Sequence, residues 1–437
     1  MSAAQDKAPL KVAVAGLGTV GQGVVRVLAR NAELITRRAG RPIRVVAASV
    51  RNRSRTRDCP LEGVELHDDP LALAGCDVDV VVELMGGLEL AQSLVLAALE
   101  NGKSVVTANK ALLAERGDVV FAAAEKSSGA LAFEAAVCGG IPVIKALREG
   151  LVANRIDAVI GICNGTSNFI LTEMARKGVA FADALADAQR LGYAEADPTF
   201  DVEGIDAAHK LTLLASIAFG VRPMFASVYH EGLSRIQARD VQLAQELGYR
   251  IKPLAIAKRG ATGLELRVHP TLVRNSHLLA SVDDSLNAVS IFGDAVGQTV
   301  YIGRGAGSEP TASAVIADLV DLARGQISGD PLGQPVGGLH AGTVLPLGEV
   351  RSASYLRLRV DDAPGVLRSI TAILAELDIS VEAILQKEPR EAGAATLAII
   401  TSVAPEARHA KALEQVLALP FAHADYTRLR VEHFDED

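Results

Sequence analysis

Short apolar runs alternate with longer amphipathic stretches over the first third of the chain. The runs have the length and the Val-rich composition of buried strands: LKVAVA at 10–15, IRVVAASV at 43–50, VDVVVEL at 78–84, SVVT at 104–107 and LAFEAA at 131–136. Helical spacing follows several of them, as at 22–30 and 89–101. Strands that alternate with helices predict an α/β domain with a doubly wound parallel sheet, here over residues 1–150.

The pattern of apolar positions changes from about residue 156. A strand is predicted over 157–162, and segments between 249 and 287 alternate apolar and polar residues. Such alternation predicts further strands of one open sheet, so residues 151–304 are expected to form an α+β domain. A predicted helix in the segment at about 305–330 is expected to return to the first domain.

A change in composition separates the last part of the chain from the rest. Residues 325–348 contain seven glycines and three prolines, which predicts a linker over 325–349. The strand and helix patterns after it follow the order β-α-β-β-α-β. This order predicts a small ferredoxin-like domain over residues 350–437.

A glycine motif follows the first predicted strand. GLGTVG at 16–21 lies between that strand and a predicted helix, which is the context that a dinucleotide-binding GxGxxG motif requires. The first glycine allows the tight turn, the second lets a pyrophosphate approach the backbone, and the third lets helix and strand pack closely. The first domain is therefore expected to be a Rossmann-type nucleotide-binding domain. The predicted cofactor-binding residues are Gly16, Gly18, Thr19, Val20 and Gly21.

The end of the second strand bears on the choice of cofactor. An NAD-specific fold usually has an acidic residue there for the ribose 2′-hydroxyl. The chain instead has RNRSRTR at 51–57, and no acid occurs before Asp58. Arginines suit a 2′-phosphate, so NADP(H) is the preferred cofactor, Arg51 is a predicted contact, and NAD(H) is the alternative. A solvated basic loop with no role in binding would have the same composition.

The stretch GYAEADPTFDVEGIDAAHK at 192–210 contains the most specific candidate chemistry. Asp206 and Lys210 are four positions apart and would share one face of a helix. A carboxylate beside a lysine can hold the ammonium and bias its pKa, as a proton-transferring lysine requires. The alternative is an ordinary surface ion pair, which is common and weak.

Two further residues are candidates for the active site. Lys110 follows the predicted strand at 104–107, where its side chain would point toward the ligand crevice at the carboxyl end of the sheet. Cys138 would be a nucleophile if the protein were an acylating aldehyde dehydrogenase. No histidine lies near Cys138 in the sequence to activate it, and a buried small residue is the simpler interpretation.

Composition excludes several classes of function. The 437 residues have a formal net charge of −8, which argues against a nucleic-acid-binding surface. The four cysteines form no CxxC pair, which favours reduced thiols over disulfides or a zinc site. No apolar run approaches the roughly 18 residues of a membrane span, and the polar N-terminus has no signal-peptide pattern. We therefore expect a cytoplasmic protein with neither a membrane nor a nucleic-acid partner.

Several motifs together resemble those of homoserine dehydrogenases, in the long form with a C-terminal ACT domain. The resemblance covers nearly the whole chain, in order. The motifs are GLGTVGQGVV at 16–25, VVELMGG at 81–87, VVTANKALLA at 105–114, NGTSNFIL at 164–171, the stretch at 192–210, GRGAGSEPTASAV at 303–315 and YLRLRVDDAPGVL at 355–367.

The resemblance implies roles for the matching residues. Lys210 would be the catalytic lysine that donates and accepts a proton at the substrate oxygen. Asp206 and Glu195 would be the carboxylates that bind homoserine. Lys110 would lie at the junction of cofactor and substrate and contribute to binding and catalysis.

Further positions match structural features of the family. Gly192 and Gly307 match turns that touch the cofactor. A structural monovalent-cation site, where sodium is usual, would use mostly backbone carbonyls of Glu134, Val137, Gly139 and Ile141. The ACT turn at 362–367 would bind a small amino-acid effector, L-threonine being the expected one.

The implied activity is the reversible NAD(P)-dependent interconversion of L-homoserine and L-aspartate 4-semialdehyde, on the branch toward threonine and methionine. The domain at 151–304 would bind the substrate and dimerise (the substrate domain), and the enzyme would be a homodimer or homotetramer. Two rival functions are the acylating semialdehyde dehydrogenase that uses Cys138 and a non-enzymatic amino-acid sensor. A sensor would have no need for Lys110 and Lys210.

Overall fold

The computed structural model describes residues 7–327, 330–387 and 393–434. The N-terminal tail up to Asp6, and Ser328 and Gly329 of the predicted linker, lie outside the described residues. Within these ranges the chain forms two large β-sheets with helices packed against them. No helix in the described ranges is both long enough and apolar enough to cross a membrane.

The first sheet is built from the N-terminal strands. These are β1 Leu10–Ala15, β2 Ile43–Ser49, β3 Glu65–His67, β4 Val80–Glu83, β5 Ser104–Thr107 and β6 Leu131–Ala132. Its helices are α1 Thr19–Arg30, α2 Ala32–Ala39, α3 Glu89–Glu100, α4 Lys110–Glu115 and α5 Gly117–Lys126. The strand order is β3-β2-β1-β4-β5-β6, and every pair is parallel. The order reverses beside β1, which creates a ligand crevice at the carboxyl ends of β1 and β4.

Both faces of this sheet are buried. Val12 and Val14 contribute to the core beneath α1, whereas Ala13 and Ala15 contribute to the core beneath α3 and α5. Because successive side chains of a strand point to opposite faces, a strand covered on both sides consists almost entirely of apolar residues. This explains why the short apolar runs at the N-terminus predict parallel strands.

The strand predicted at 131–136 is shorter than expected, since β6 ends at Ala132 and a 3₁₀ turn follows over Glu134–Ala136. The backbone N–H of Glu134 donates to Asp318 Oδ2 at 2.9 Å. The Glu134 carboxylate accepts bonds from the backbone N–H groups of Ile144 and Lys145. These side-chain bonds replace the sheet ladder, and the apolar pattern alone does not reveal them.

The remaining elements follow the turn after β6. The helices are α6 Val143–Lys145, α7 Gly165–Lys177, α8 Phe181–Arg190, α9 Thr199–Val202, α10 Ile205–Phe219, α11 Ala238–Glu246, α12 Ser308–Arg324, α13 Val366–Glu376 and α14 Glu406–Leu417. The strands are β7 Ile156–Ile162, β8 Tyr229–His230, β9 Tyr249–Arg259, β10 Leu264–Arg274, β11 Leu286–Gly293, β12 Gly297–Arg304, β13 Arg351–Asp361, β14 Val381–Lys387, β15 Ala394–Thr401, β16 Ala404–Pro405 and β17 Ala422–Val431.

The second sheet runs through two parts of the chain without interruption. Its order is β12-β11-β7-β9-β10-β17-β13-β15-β14, with β8 paired to β10 and β16 paired to β13. The last strand, β17, pairs in parallel with β10, with Thr271 opposite Arg430 and Leu272 opposite Val431. The C-terminal β-α-β-β-α-β unit therefore extends the sheet of the middle region.

Buried ion pairs reinforce the junction between these two parts. Arg357 Nε donates to Asp240 Oδ1 at 2.6 Å, and both side chains are fully buried. Arg267 Nη2 donates to Glu432 Oε2 at 2.9 Å, also with both partners buried. Removing one member of such a pair leaves an uncompensated buried charge.

Two connecting segments pack against the domains on either side of them. Helix α12 lies on α1, where Ser308 Oγ donates to the carbonyl of Thr19 at 2.6 Å. In the segment predicted as a linker, Leu332 and Leu339 are buried. His340 in this segment forms a bridge with Val221. The described part of the glycine-rich segment is therefore packed along the substrate-domain surface.

Candidate active site

Helix α10 carries the pair predicted from the spacing at 206 and 210. Lys210 Nζ donates to Asp206 Oδ2 at 2.7 Å and to the carbonyl oxygen of Cys163 at 2.7 Å. Both side chains are buried, with residual exposures of 7% for Lys210 and 5% for Asp206. The α10 segment after Lys210 is almost wholly apolar and packs into the core, which fixes the orientation of the two charged residues.

Asp206 connects three parts of the chain. Its Oδ1 lies 3.2 Å from Lys110 Nζ, and its Oδ2 also accepts a bond from Asn164 Nδ2 at 2.8 Å. Lys110 begins α4 just beyond the carboxyl end of β5, whereas Asn164 precedes α7. The nucleotide domain and the substrate domain therefore meet at one carboxylate.

The electrostatics of the pair keep both groups charged. Burial alone would lower the pKa of Lys210, but the Asp206 carboxylate outweighs burial and holds that pKa above its usual range. Burial would likewise raise the pKa of Asp206, but Lys210 and Lys110 together hold it well below its usual value. Lys210 is consequently an ammonium at neutral pH.

The glycine motif at the carboxyl end of β1 has the geometry that its spacing predicts. Gly16 has φ +98°, and a Cβ there would lie 3.0 Å from the Leu84 carbonyl oxygen. A Cβ on Gly21 would lie 2.1 Å from the Gly16 carbonyl oxygen, so only glycine fits. Gly18 has open space around the position of a Cβ and precedes α1 without a side-chain cap. The first turn of α1 can therefore accept a phosphate.

Comparison with known proteins agrees with this geometry. Family models match in three segments: the homoserine dehydrogenase NAD-binding domain at 16–134, homoserine dehydrogenase at 142–320 and the ACT domain at 354–420. The homoserine dehydrogenase of Pseudomonas aeruginosa is 51% identical over 435 residues, which cover 98% of this chain and 100% of that protein. The chain belongs to the homoserine dehydrogenase family.

A second relative and a solved structure lead to the same conclusion. The homoserine dehydrogenase of Neisseria gonorrhoeae is 49% identical over 97% of this chain and 99% of its own length. The crystal structure of a homoserine dehydrogenase from Thiobacillus denitrificans is 53% identical and superposes with a TM-score of 0.91, covering 97% of this chain and 98% of that chain. The predicted Rossmann-type, α+β and ACT architecture is confirmed, and the protein is an NAD(P)-dependent oxidoreductase.

Asn164 contacts the candidate catalytic pair, and sequence reasoning missed this contact. Its Oδ1 accepts a bond from the backbone N–H of Ser167 and caps α7, while its Nδ2 donates to Asp206 and to Asp201. This cap lies within the NGTSNFIL motif at 164–171. Asp206 is 42 positions from Asn164 in the sequence, so no local pattern indicated this contact.

A second missed group supports the start of α4. The buried Glu83 carboxylate accepts bonds from Thr107 Oγ1 at 2.7 Å and from the backbone N–H of Met85 at 2.8 Å. Thr107 Oγ1 in turn accepts from the backbone N–H of Asn109 at 3.0 Å, and Asn109 caps α4. An acidic residue at the end of the apolar run VVVE was the only sequence signal. This chain of bonds orients Lys110 relative to the turn after β4.

The loop after β2 is exposed, as a 2′-phosphate site must be. The Arg51 guanidinium is exposed and has no ion-pair partner within the described ranges. Arg53 Nε, in contrast, donates to Asp68 at 2.8 Å, and Arg57 donates to backbone carbonyls of its own loop. The charges of Arg51 and Arg55, neither of which has an ion-pair partner among the described residues, are available to a ligand, and Arg51 is the nearer of the two to the end of β2.

Three further predicted residues lie in exposed or turn positions. The Glu195 side chain is exposed, and the structure gives its carboxylate no contact with Asp206 or Lys210. Gly192 follows α8 at φ +78°, and Gly307 precedes α12 at φ +121°. Both glycines occupy backbone conformations that other residues rarely adopt.

The turn at 134–141 contains the residues expected at a cation site. Glu134 is buried and its carboxylate binds the start of α6, so the backbone carbonyls of this turn are the donors that remain. Gly139 has φ +43°, and a Cβ there would lie 2.6 Å from the Gly305 carbonyl oxygen. Within the described residues no group of three or more acidic, histidine or cysteine side chains could hold a metal.

Cys138 is not placed as a nucleophile for the rival acyl chemistry. Its side chain is fully buried, and so is that of Cys163. A hydrogen bond with Cys163 lowers the pKa of Cys138, while burial works against ionisation. The family assignment and this burial together exclude the acylating dehydrogenase, and the enzymatic assignment excludes the sensor.

Proposed function

We propose that Lys210 is the proton donor and acceptor at the substrate oxygen in the reversible interconversion of L-homoserine and L-aspartate 4-semialdehyde. The observation that carries this proposal is the geometry of its ammonium. A lysine ammonium has three N–H donors, and two of them are fixed on Asp206 and the Cys163 carbonyl. The third remains for a substrate oxygen.

The raised pKa of Lys210 determines how the proton moves. In the reduction, the ammonium donates its proton to the oxygen as negative charge develops there, and Asp206 stabilises the ammonium beforehand. In the oxidation, Lys210 must accept the alcohol proton as a neutral amine, which Asp206 disfavours. Oxidation of homoserine is therefore expected to speed up as the pH rises into the alkaline range, whereas reduction is expected to slow there.

The carboxylates around the site suit an amino-acid substrate. Homoserine carries an ammonium group, which we assign to Asp206 and to Glu195 on the exposed loop after α8. Lys110 lies at the junction with the nucleotide domain, where it can bind the substrate carboxylate and contribute to catalysis. The Asp206 carboxylate contacts the ammonium groups of both Lys110 and Lys210, so the positive charge of each lysine has a negative partner.

The cofactor proposed for this site is NADP(H), with NAD(H) as the alternative. The nicotinamide supplies or accepts the hydride when it is bound. The chain binds the pyrophosphate at Gly16, Gly18, Thr19, Val20 and Gly21, touches the cofactor at Lys110, Gly192 and Gly307, and binds the 2′-phosphate at Arg51. The unpaired guanidinium of Arg51 supports the preference for NADP(H).

A monovalent cation, sodium being the expected ion, is proposed at the backbone carbonyls of Glu134, Val137, Gly139 and Ile141. Oxygen donors suit a hard cation. The left-handed conformation of Gly139 supports this proposal because it turns the backbone sharply within the donor segment. The ion would rigidify the turn between β6 and α6.

We further propose that the ACT domain makes the enzyme responsive to an amino-acid effector, L-threonine, at the turn 362–367. Gly365 there has φ +96° and precedes α13, whose first N–H groups favour a carboxylate. We also propose that the enzyme is a cytoplasmic homodimer or homotetramer. The domain limits are those expected above: 1–150 with 305–330, 151–304, the connecting segment 325–349 and 350–437.

Steady-state oxidation of L-homoserine tests the proposed function. NADP+ and NAD+ are compared, each with and without L-threonine. Turnover with a lower KM for NADP+, and inhibition by threonine, are the expected results. No turnover with either cofactor contradicts the reaction, and equal KM values contradict the cofactor preference.

A further inference from the structure

A cavity of about 800 Å³ lies where the ACT domain meets the substrate domain. Its walls come from the segment 229–236, from α14 and from β17. Lys110, Asp206 and Lys210 are absent from its lining, so it is separate from the active site. Its volume lies within the range of small-molecule sites.

The floor of the cavity is a closed network of ions. Arg430 donates to Glu231 at 2.8 Å and to Glu406 at 3.0 Å, and Arg428 also donates to Glu406. Burial alone would raise the pKa of Glu406, but Arg430 and Arg428 outweigh burial and hold it below its usual value. The floor is therefore fixed in position and close to electrically neutral.

The rim offers charges that the chain itself leaves available. Arg235 is exposed and has no ion-pair partner among the described residues. Among the described residues, the Glu203 carboxylate accepts a single, long hydrogen bond, from Ser234 Oγ at 3.4 Å. Apolar side chains also line the cavity, among them Ile236 and Leu413. The cavity thus presents one cation, one anion and an apolar wall.

We propose that this cavity binds a small α-amino acid, with the ligand carboxylate at Arg235, its ammonium at Glu203 and its side chain against the apolar wall. The lining carries three arginines and three glutamates, so it gives a net anion or a net cation no advantage. A zwitterion satisfies both rim charges at once. The site differs from the ACT turn 362–367 and does not depend on the proposed role of Lys210.

The position of the cavity connects it to the catalytic helix. Glu203 immediately precedes Gly204, the first residue before α10, and Gly204 has φ +81°. The Glu203 carbonyl lies 3.1 Å from His230 Nδ1, and the carbonyl of Val202 accepts a bond from the N–H of Leu233 at 3.0 Å. Arg430 holds the same segment through Glu231. A ligand at Glu203 therefore acts on the start of the helix that carries the catalytic pair.

The test compares two charge reversals in the full-length enzyme. Binding of L-methionine and L-lysine, which are not proposed to bind the ACT turn, is measured by calorimetry for the wild type, for Arg235→Glu and for Arg368→Glu. Arg368 is an exposed arginine on α13, beside the ACT turn, and serves as the matched control. At least one probe should bind the wild type, and Arg235→Glu should weaken it by about tenfold or more, while Arg368→Glu should change it by less than about twofold. Arg235→Gln should give an intermediate loss.

Other results of these measurements would contradict the proposal. The proposal is overturned if no probe binds, if Arg235→Glu binds like the wild type, or if only Arg368→Glu loses binding, since the ligand would then sit at the ACT turn. A change in oligomeric state on Arg235→Glu, seen by sedimentation, would also overturn it, because the cavity would then be a subunit contact. Homoserine oxidation without added amino acid should persist in Arg235→Glu, which separates this outcome from failure of the proposed function.

Discussion

At the residue scale, the proposed active site depends on the number of hydrogen-bond donors at the Lys210 ammonium. Lys210 uses two N–H groups on fixed acceptors, and a buried carboxylate keeps it charged. The Asp206–Lys210 spacing predicts the ion pair because it lies within a single helix. The contributions of Asn164 and the Cys163 carbonyl arise from chain crossings that no local pattern encodes.

Arg51 provides a prediction about cofactor choice. Arg51→Glu should raise the KM for NADP+ by about tenfold or more and leave the KM for NAD+ nearly unchanged, because a charged contact to a phosphate contributes roughly 1.5–3 kcal/mol. Steady-state kinetics with both cofactors measure the ratio. Arg55→Glu, in the same exposed loop, is the matched control. Equal changes for both cofactors would mean that the loop is merely solvated.

At the scale of elements, short helix α4 is held against α10 at both of its ends. Lys110 at its first residue contacts Asp206, and Glu115 at its last residue lies 3.0 Å from His209 Nε2. Burial lowers the pKa of His209 despite the nearby Glu115, so the ring is neutral and its N–H donates to the carboxylate. The contact with His209 positions Lys110 by fixing the other end of the helix.

Glu115→Ala should therefore lower kcat/KM for homoserine by about tenfold, the effect of losing a hydrogen bond to a charged group. Glu115→Gln should restore most of it, since an amide oxygen still accepts the bond. Glu100→Ala, an exposed glutamate at the end of α3, serves as the control for charge. Unchanged kinetics in Glu115→Ala would show that the contact is only structural.

A titratable group on α12, which accepts a hydrogen bond from the turn between β6 and α6, links stability to pH. Burial, together with the neighbouring Glu134, raises the pKa of Asp318 to about 7. Its Oδ1 has no hydrogen-bond partner among the described residues, although Lys145 Nζ lies 3.8 Å away. The protonated form is favoured in the folded state, so stability is lost as the pH rises from about 4, the unfolded value, through about 7.

Asp318→Asn should remove that loss, on the order of 4 kcal/mol at full ionisation. The variant should unfold at a higher denaturant concentration than the wild type at pH values above about 7 and lose the advantage near pH 4. Denaturant-induced unfolding of both proteins, measured between about pH 4 and pH values above about 7, gives this difference in stability. A variant whose stability parallels that of the wild type at every pH would contradict the assignment of this pKa.

At the scale of the whole molecule, sequence patterns predicted the fold but not the union of its parts. Each strand of the two sheets is a continuous local segment, so apolar periodicity predicts most of them, although β6 ends four residues earlier than predicted. The pairing of β10 with β17 joins residues more than a hundred positions apart, and its buried partners Arg267 and Glu432 are separated likewise. The glycine-rich composition of 325–348 predicted a linker, and it gave no sign that one sheet runs through the parts on either side.

The continuous sheet changes what truncation should do. Removing residues 349–437 leaves β10 without β17, Arg267 without Glu432 and Asp240 without Arg357. Breaking a buried pair by removing one partner costs about 3–5 kcal/mol, a large part of a typical total stability. The truncated chain should melt at a markedly lower temperature, and its loss of activity should follow its unfolding. A truncated enzyme with the wild-type melting temperature and kcat would show that the domains are independent.

The central claim is the role of Lys210, and its most direct test is the rate of hydride transfer in Lys210→Ala. Single-turnover reduction of L-aspartate 4-semialdehyde is followed in parallel with binding of NADPH. The variant should bind the cofactor like the wild type and transfer hydride about 10²–10⁴-fold more slowly, the usual span for general acid–base catalysis. A variant that retains more than about a third of the wild-type rate, in a fully folded enzyme, would contradict the account.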